Sequence, residues 1–219
     1  MLRALFNSHM TLDRLIVMLI SYVAVIMVVM PIHEWAHGFV ASRLGDPTPR
    51  MYGRLTLNPF AHLDKFGTVM MLLFGFGFAK PVPIDPRYFR KPRTGMVLTA
   101  LAGPASNLLV ALAAAGICRL LWLVPAGSPA LDLLYLFFIC VAELSIYLAV
   151  FNLLPLPPLD GYRIISPLLP SKWTYYVNRY QQYATLAILV LLATDVLDKP
   201  LYFLSDVFYD AIFGVFGLI

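Results

Sequence analysis

Leu15 to Ile32 runs for 18 residues without a charged side chain and ends directly on His33-Glu34-Trp35-Ala36-His37. As a helix that run is roughly 27 Å long, enough to cross most of the hydrocarbon layer of a bilayer. An apolar segment of this extent needs lipid or a large core around it. At 219 residues, with 60% hydrophobic and 13% charged residues, the chain is too small and too apolar to supply such a core, so an integral membrane protein is expected. A cleaved signal peptide fits poorly, because the run is too long and no small-residue cleavage site follows it.

The remaining apolar runs predict an all-α polytopic membrane protein with about four to six transmembrane helices. A first helix is expected over about Thr11 to Ser42, a second over Thr94 to Val124, a third over Ala130 to Leu154 and a fourth over Lys172 to Thr194. The tail Leu201 to Ile219 is aromatic and interrupted by Asp206 and Asp210, so its sequence leaves open whether it spans the bilayer or lies along it. Between the first two core helices, Phe66 to Ala79 is a glycine-rich apolar island of 14 residues, too short to span straight, and a re-entrant segment is expected there. Arg54 to Leu57 alternates polar and apolar between Gly53 and Pro59, which predicts a short strand in a small membrane-associated β-hairpin. No repeat divides the chain, so residues 1–219 are expected to form a single membrane domain, with its core at about 12–172 and C-terminal helices at 173–219.

Nine of the 16 Lys and Arg lie between Arg43 and Arg93. Flanked by spanning helices, they read as a cytoplasmic loop obeying the positive-inside bias rather than as a nucleic-acid patch. The ends of the first and third helices then meet on the cytoplasmic side. Cys118 and Cys140 lie within apolar helices and read as packing residues.

On a helix, His33 and His37 project from one face and can grip one metal ion, with Glu34 placed to take a proton from a water that the metal activates. Ionisable groups in an apolar helix cost roughly 2.5–3.5 kcal/mol each, so they are rarely kept without a partner or a task. A catalytic zinc needs a third protein ligand and an open fourth position. His62 in the loop, Glu143 in mid-helix and Asp160 after the third helix are the candidates, and topology favours Asp160. Pro155, Pro157 and Pro158 break the helix before it, and Gly161 permits a sharp turn after it.

With these residues in place, "HEWAH" in a first apolar helix and "FNLLPLPPLDG" more than a hundred residues later resemble the site-2 protease family of intramembrane zinc metalloproteases. "GRLTLNPFAHLDKFGT", "AKPVPI" and "GPASN" resemble the family's intervening segments in the same order, so the likeness covers roughly residues 20 to 165. It is the short type that is resembled, without a PDZ-like or nucleotide-sensing domain. The resemblance implies one Zn2+ per chain held by His33, His37 and Asp160, with Glu34 as catalytic base. It matches Asn152 to the asparagine before the proline-rich turn, and Asn107 to an asparagine near the substrate. Tyr162 stands where a second glycine is frequent in the family.

The implied activity is hydrolysis of a peptide bond within or near a transmembrane helix of a membrane-protein substrate, as in regulated intramembrane proteolysis. A multi-pass protein of the cell membrane is implied, its active site open to the cytoplasm. A strand edge at Arg54, Leu55, Thr56 and Leu57 could pair with the unwound substrate. The implied partners are that substrate and the lipid bilayer, with no nucleic acid; a regulatory membrane partner stays open. Two rival classes are a catalytically silent relative that binds membrane proteins and a metal or ion transporter. Intact Glu34 argues against the first, and the lack of two related halves against the second. His62 reads as structural, in a turn with Asp64, and Glu143 has no partner that the sequence names.

Overall fold

The fold is taken from a computed structural model describing residues 11–64, 67, 69, 79–125, 127–180, 183–184, 187–188, 190–191, 194 and 196–218. Its helices are α1 (Leu12–Arg43), the single turns α2 (Thr48–Met51) and α3 (Pro59–His62), α4 (Pro92–Trp122), α5 (Pro129–Leu153), α6 (Asp160–Ile165), α7 (Ser171–Arg179) and α8 (Asp198–Val215). Among the described residues there is no strand, and three helices, α1, α4 and α5, are long and apolar enough to cross a membrane. Their boundaries fall within two residues of those expected from the apolar runs. The fourth expected helix begins as α7, and most of the re-entrant island lies outside the described residues.

α1 is not uniform. Pro31 has no N–H to give to the carbonyl one turn back, and the turn before it widens: Val25–Val29 is a π-helix in which the Met30 N–H donates to the Val25 carbonyl. The widened turn shifts the angular phase of everything after it, including His33 and His37. Ser21, just before it, donates its hydroxyl to the Val17 carbonyl and lies 3.5 Å from the Phe137 carbonyl of α5.

α4 is the central helix and packs against α1, α5 and α6. Ala111, Ala114, Ala115 and Cys118 form a buried stripe of small side chains on it, and small residues let helix backbones approach where lipid gives no hydrophobic drive. The stripe packs with Val141, Ala142, Ile146 and Val150 of α5 and with Leu201, Ile212 and Phe213 of α8. α8 starts with Pro200 in its first turn, where a missing N–H is harmless, and carries Asp198, Lys199, Asp206 and Asp210 along its length.

The strand expected at Arg54–Leu57 is absent. That stretch is bend and loop, and the nearest bridge is a single antiparallel pair between Leu63 and Ala79. Its polar groups are already engaged locally. The Arg54 N–H donates to the Pro49 carbonyl, the Arg54 guanidinium to the Ala61 carbonyl, and His62 Nε2 bonds the Thr56 carbonyl at 2.8 Å. The side chains of Arg54 and His62 thus tie the segment to the α3 turn as a closed loop, and alternation in sequence could not reveal those partners. His62 is buried in this loop, with the Thr56 carbonyl as a hydrogen-bond partner.

Candidate metal centre

The chain brings three buried ligand atoms from two distant helices to one point. His33 Nε2 and His37 Nε2 are 3.1 Å apart. Asp160 Oδ2 lies 3.2 Å from the first and 3.1 Å from the second. The three side chains are buried and form a group able to hold a metal ion among the described residues. Of the three sequence candidates for a third ligand, His62, Glu143 and Asp160, Asp160 is the one that the fold brings to the two histidines.

The donor set fits zinc. Tetrahedral ligands at about 2.0–2.2 Å from zinc would stand roughly 3.4 Å apart, within a few tenths of an ångström of the separations seen. His37 Nδ1 is 2.7 Å from the Thr99 carbonyl, which can only accept, so Nδ1 carries the proton and Nε2 presents its lone pair to the centre. A backbone carbonyl holding the distal nitrogen is the usual support behind a metal-binding histidine. Asp160 Oδ2 is buried without a hydrogen bond, as is His33 Nδ1. Arg163 Nη1, one turn on in α6, lies 3.7 Å from Asp160 Oδ1.

Two glycines make the convergence sterically available. A Cβ at Gly103 of α4 would overlap the His37 imidazole and come within 2.6 Å of His33 Cε1. A Cβ at Gly161 would collide with the carbonyl oxygens of Leu153 and Leu154, at the end of α5. Gly161 is therefore needed for close approach; it is not among the glycines with a left-handed backbone, so the sharp turn expected there does not explain it. Tyr162 sits buried within α6 and leaves that approach intact.

Glu34 is half-buried on α1, and its Oε2 accepts a hydrogen bond from the Val82 N–H at 3.1 Å. Thr99, Gly103 and Asn107 recur every four residues, so they share one face of α4, and all three are buried. Asn107 Oδ1 has no hydrogen-bond partner, whereas the Asn152 amide donates to the Leu148 carbonyl within α5 at 2.9 Å. Leu55 packs beside Gly38, one turn after Glu34, so the Arg54–Leu57 loop borders the site although it is no strand. Glu143 is exposed on α5, with no hydrogen bond or ion pair among the described residues.

Sequence reasoning missed Thr99, Gly103, Arg163 and the Val82 N–H. Only Gly103 left a signal, four residues before Asn107 and four after Thr99 on the face that meets "HEWAH".

The profile of peptidase family M50 matches residues 124–194, which include the Asp160 turn. The chain is 40% identical over 207 residues to "Putative zinc metalloprotease YwhC" of Bacillus subtilis, covering 92% of this chain and 93% of that protein. It is 30% identical over 203 residues to "Putative zinc metalloprotease Rip2" of Mycolicibacterium smegmatis, covering 87% of this chain and 76% of that protein. No solved structure matches.

Proposed function

The chain belongs to peptidase family M50, and from that premise we propose that it is a zinc endopeptidase that cuts a membrane-protein substrate within or near a transmembrane helix. The observation that carries the proposal is the convergence of His33, His37 and Asp160 beside Glu34, at the end of an apolar helix. Bound to the three ligands, zinc would supply the Lewis acidity that makes water a nucleophile near neutral pH and polarises a peptide carbonyl. Glu34 accepts the proton of the attacking water and returns it to the leaving amine. Thr99 holds His37 in the tautomer that faces the centre, and Arg163 keeps a positive charge beside Asp160. Asn107, one turn beyond Gly103, is offered as a donor to the substrate backbone, and the Arg54–Leu57 loop and Asn152 as bordering contacts.

The active site is proposed to open to the cytoplasm, supported by the basic residues clustered between Arg43 and Arg93. A helical substrate hides its scissile carbonyl in a hydrogen-bond ladder and must unwind locally before attack. Intact Glu34 favours an enzyme over a silent binding protein.

The test uses the purified protein, a single-span substrate and a measurement of bound zinc. Glu34→Gln should keep zinc and lose cleavage, and Asp160→Ala should lose most of the metal. Cleavage persisting in Glu34→Gln would remove Glu34 as base, and full zinc in Asp160→Ala would move the third ligand elsewhere.

A further inference from the structure

Glu34 is half-buried on α1, and a group that holds its carboxylate comes from the loop between α1 and α4. The stretch Lys80-Pro81-Val82-Pro83-Ile84-Asp85 has no regular structure of its own, yet it is pinned at three places. At one end the Lys80 N–H donates to the His62 carbonyl at 2.7 Å. At the other the Asp85 N–H donates to Oδ2 of the buried Asp46 at 2.8 Å. Between them the Val82 N–H donates to Glu34 Oε2.

Pro81 and Pro83 leave Val82 as the single amide between Lys80 and Ile84, and residues before proline are driven to extended conformations. The stretch is therefore stiff, and one of its few donors lands on the carboxylate. The Val82 side chain is buried against α1 at Gly38, where an added Cβ would lie 3.4 Å from Val82 Cγ1 and 3.3 Å from Pro49 Cβ. Gly38 thus lets the strap lie close to the helix one turn beyond Glu34.

We propose that Lys80–Asp85 is a positioning strap for the catalytic base: the Val82 backbone N–H fixes Glu34 through Oε2 and leaves Oε1 for the water. This rests on the reading of Glu34 as the base. Val82 is a positioning residue, acting through Glu34 and not on the substrate. A side chain held in one orientation does not have to be ordered during the reaction, so the strap should act on the chemical step and not on substrate affinity.

Two measurements on the full-length, zinc-loaded protein test this. The first is amide hydrogen exchange read by proteolysis and mass spectrometry, in which the flanking prolines isolate the Val82 amide. Exchange at Val82 should be slow in the wild type and in Glu34→Gln, whose side-chain carbonyl can still accept. It should be at least tenfold faster in Glu34→Ala, while the Lys80 amide is unchanged. An equal Val82 rate in wild type and Glu34→Ala would overturn the proposal. The second replaces the residue at 82 with the α-hydroxy analogue of valine, which turns the N–H into an ester oxygen and keeps the side chain. The turnover number should fall about tenfold with KM and bound zinc unchanged. An unchanged turnover number, or a loss seen only in KM or in zinc, would overturn it. A wild-type protein that cleaves no substrate would instead defeat the proposed reaction, while the exchange measurement still decides the Val82 contact.

Discussion

At position 103 a methyl group would occupy space held by the imidazoles of His37 and His33, so what the residue contributes is the absence of a side chain. Gly103→Ala should push α4 away from α1 or turn the imidazoles, and either change pulls the ligand atoms out of register. Zinc affinity should fall at least tenfold, within the 10–100-fold range typical of changes to the groups supporting a metal ligand. Equilibrium competition with a zinc chelator checks this, and affinity equal to wild type would show that the backbone can yield there. Arg163 invites a milder change. Arg163→Gln removes a cation 3.7 Å from Asp160 Oδ1 and should alter zinc affinity by less than Gly103→Ala, because Asp160 keeps both imidazoles as neighbours. The residues proposed to carry the chemistry were legible because their side chains are conspicuous in an apolar setting. Val82 was not, because a backbone N–H acquires meaning only when another segment comes to rest against it, and Gly103 left no more than its spacing from Thr99 and Asn107.

Among the elements, α6 shows how a short helix can deliver a candidate ligand. Its first residue is Asp160, and it starts where the prolines have ended α5. The joint is tight, since Gly161 lies against the last carbonyls of α5 with no room for a Cβ. Gly161→Ala should therefore shift Asp160 and reproduce much of the zinc loss of Asp160→Ala while keeping the carboxylate. Zinc content of the two variants, measured side by side, decides this, and a zinc-replete Gly161→Ala protein would refute it. The three long helices were legible to within two residues, because uncharged runs flanked by charge and proline leave little choice in a bilayer. The strand at Arg54–Leu57 was misread for a definable reason. Alternation identifies a segment able to pair, but pairing needs free backbone groups, and here Arg54 and His62 engage carbonyls of the same loop.

For the molecule as a whole, the candidate metal centre brings together segments more than a hundred residues apart, and α8 packs on α4 and α5 in one core. Zinc binding should therefore stabilise the entire fold. With free zinc at a hundred times its dissociation constant, linkage adds about 2.7 kcal/mol to unfolding. Removing zinc with a chelator should lower the midpoint of thermal unfolding in the wild type and leave Asp160→Ala unmoved. Phe213 of α8 is buried in the same core and stacks on Tyr209 with ring centroids 4.1 Å apart. Phe213→Ala should destabilise by about 3 kcal/mol through the cavity it leaves, seen as a lower midpoint in a denaturing-detergent titration.

The length of α1 bears on where in the bilayer such an enzyme would work. Its 32 residues make a rod about 48 Å long, against a hydrocarbon layer of about 30 Å, so it must lean over or project beyond the lipid. The charge-free run ends at Ile32, one residue before His33. A helix placed with that run in the oil puts its imidazoles at the rim on the Arg43 side, within reach of headgroup water. On that geometry the proposed cleavage would take place at the edge of the membrane, and water need not be carried to the middle.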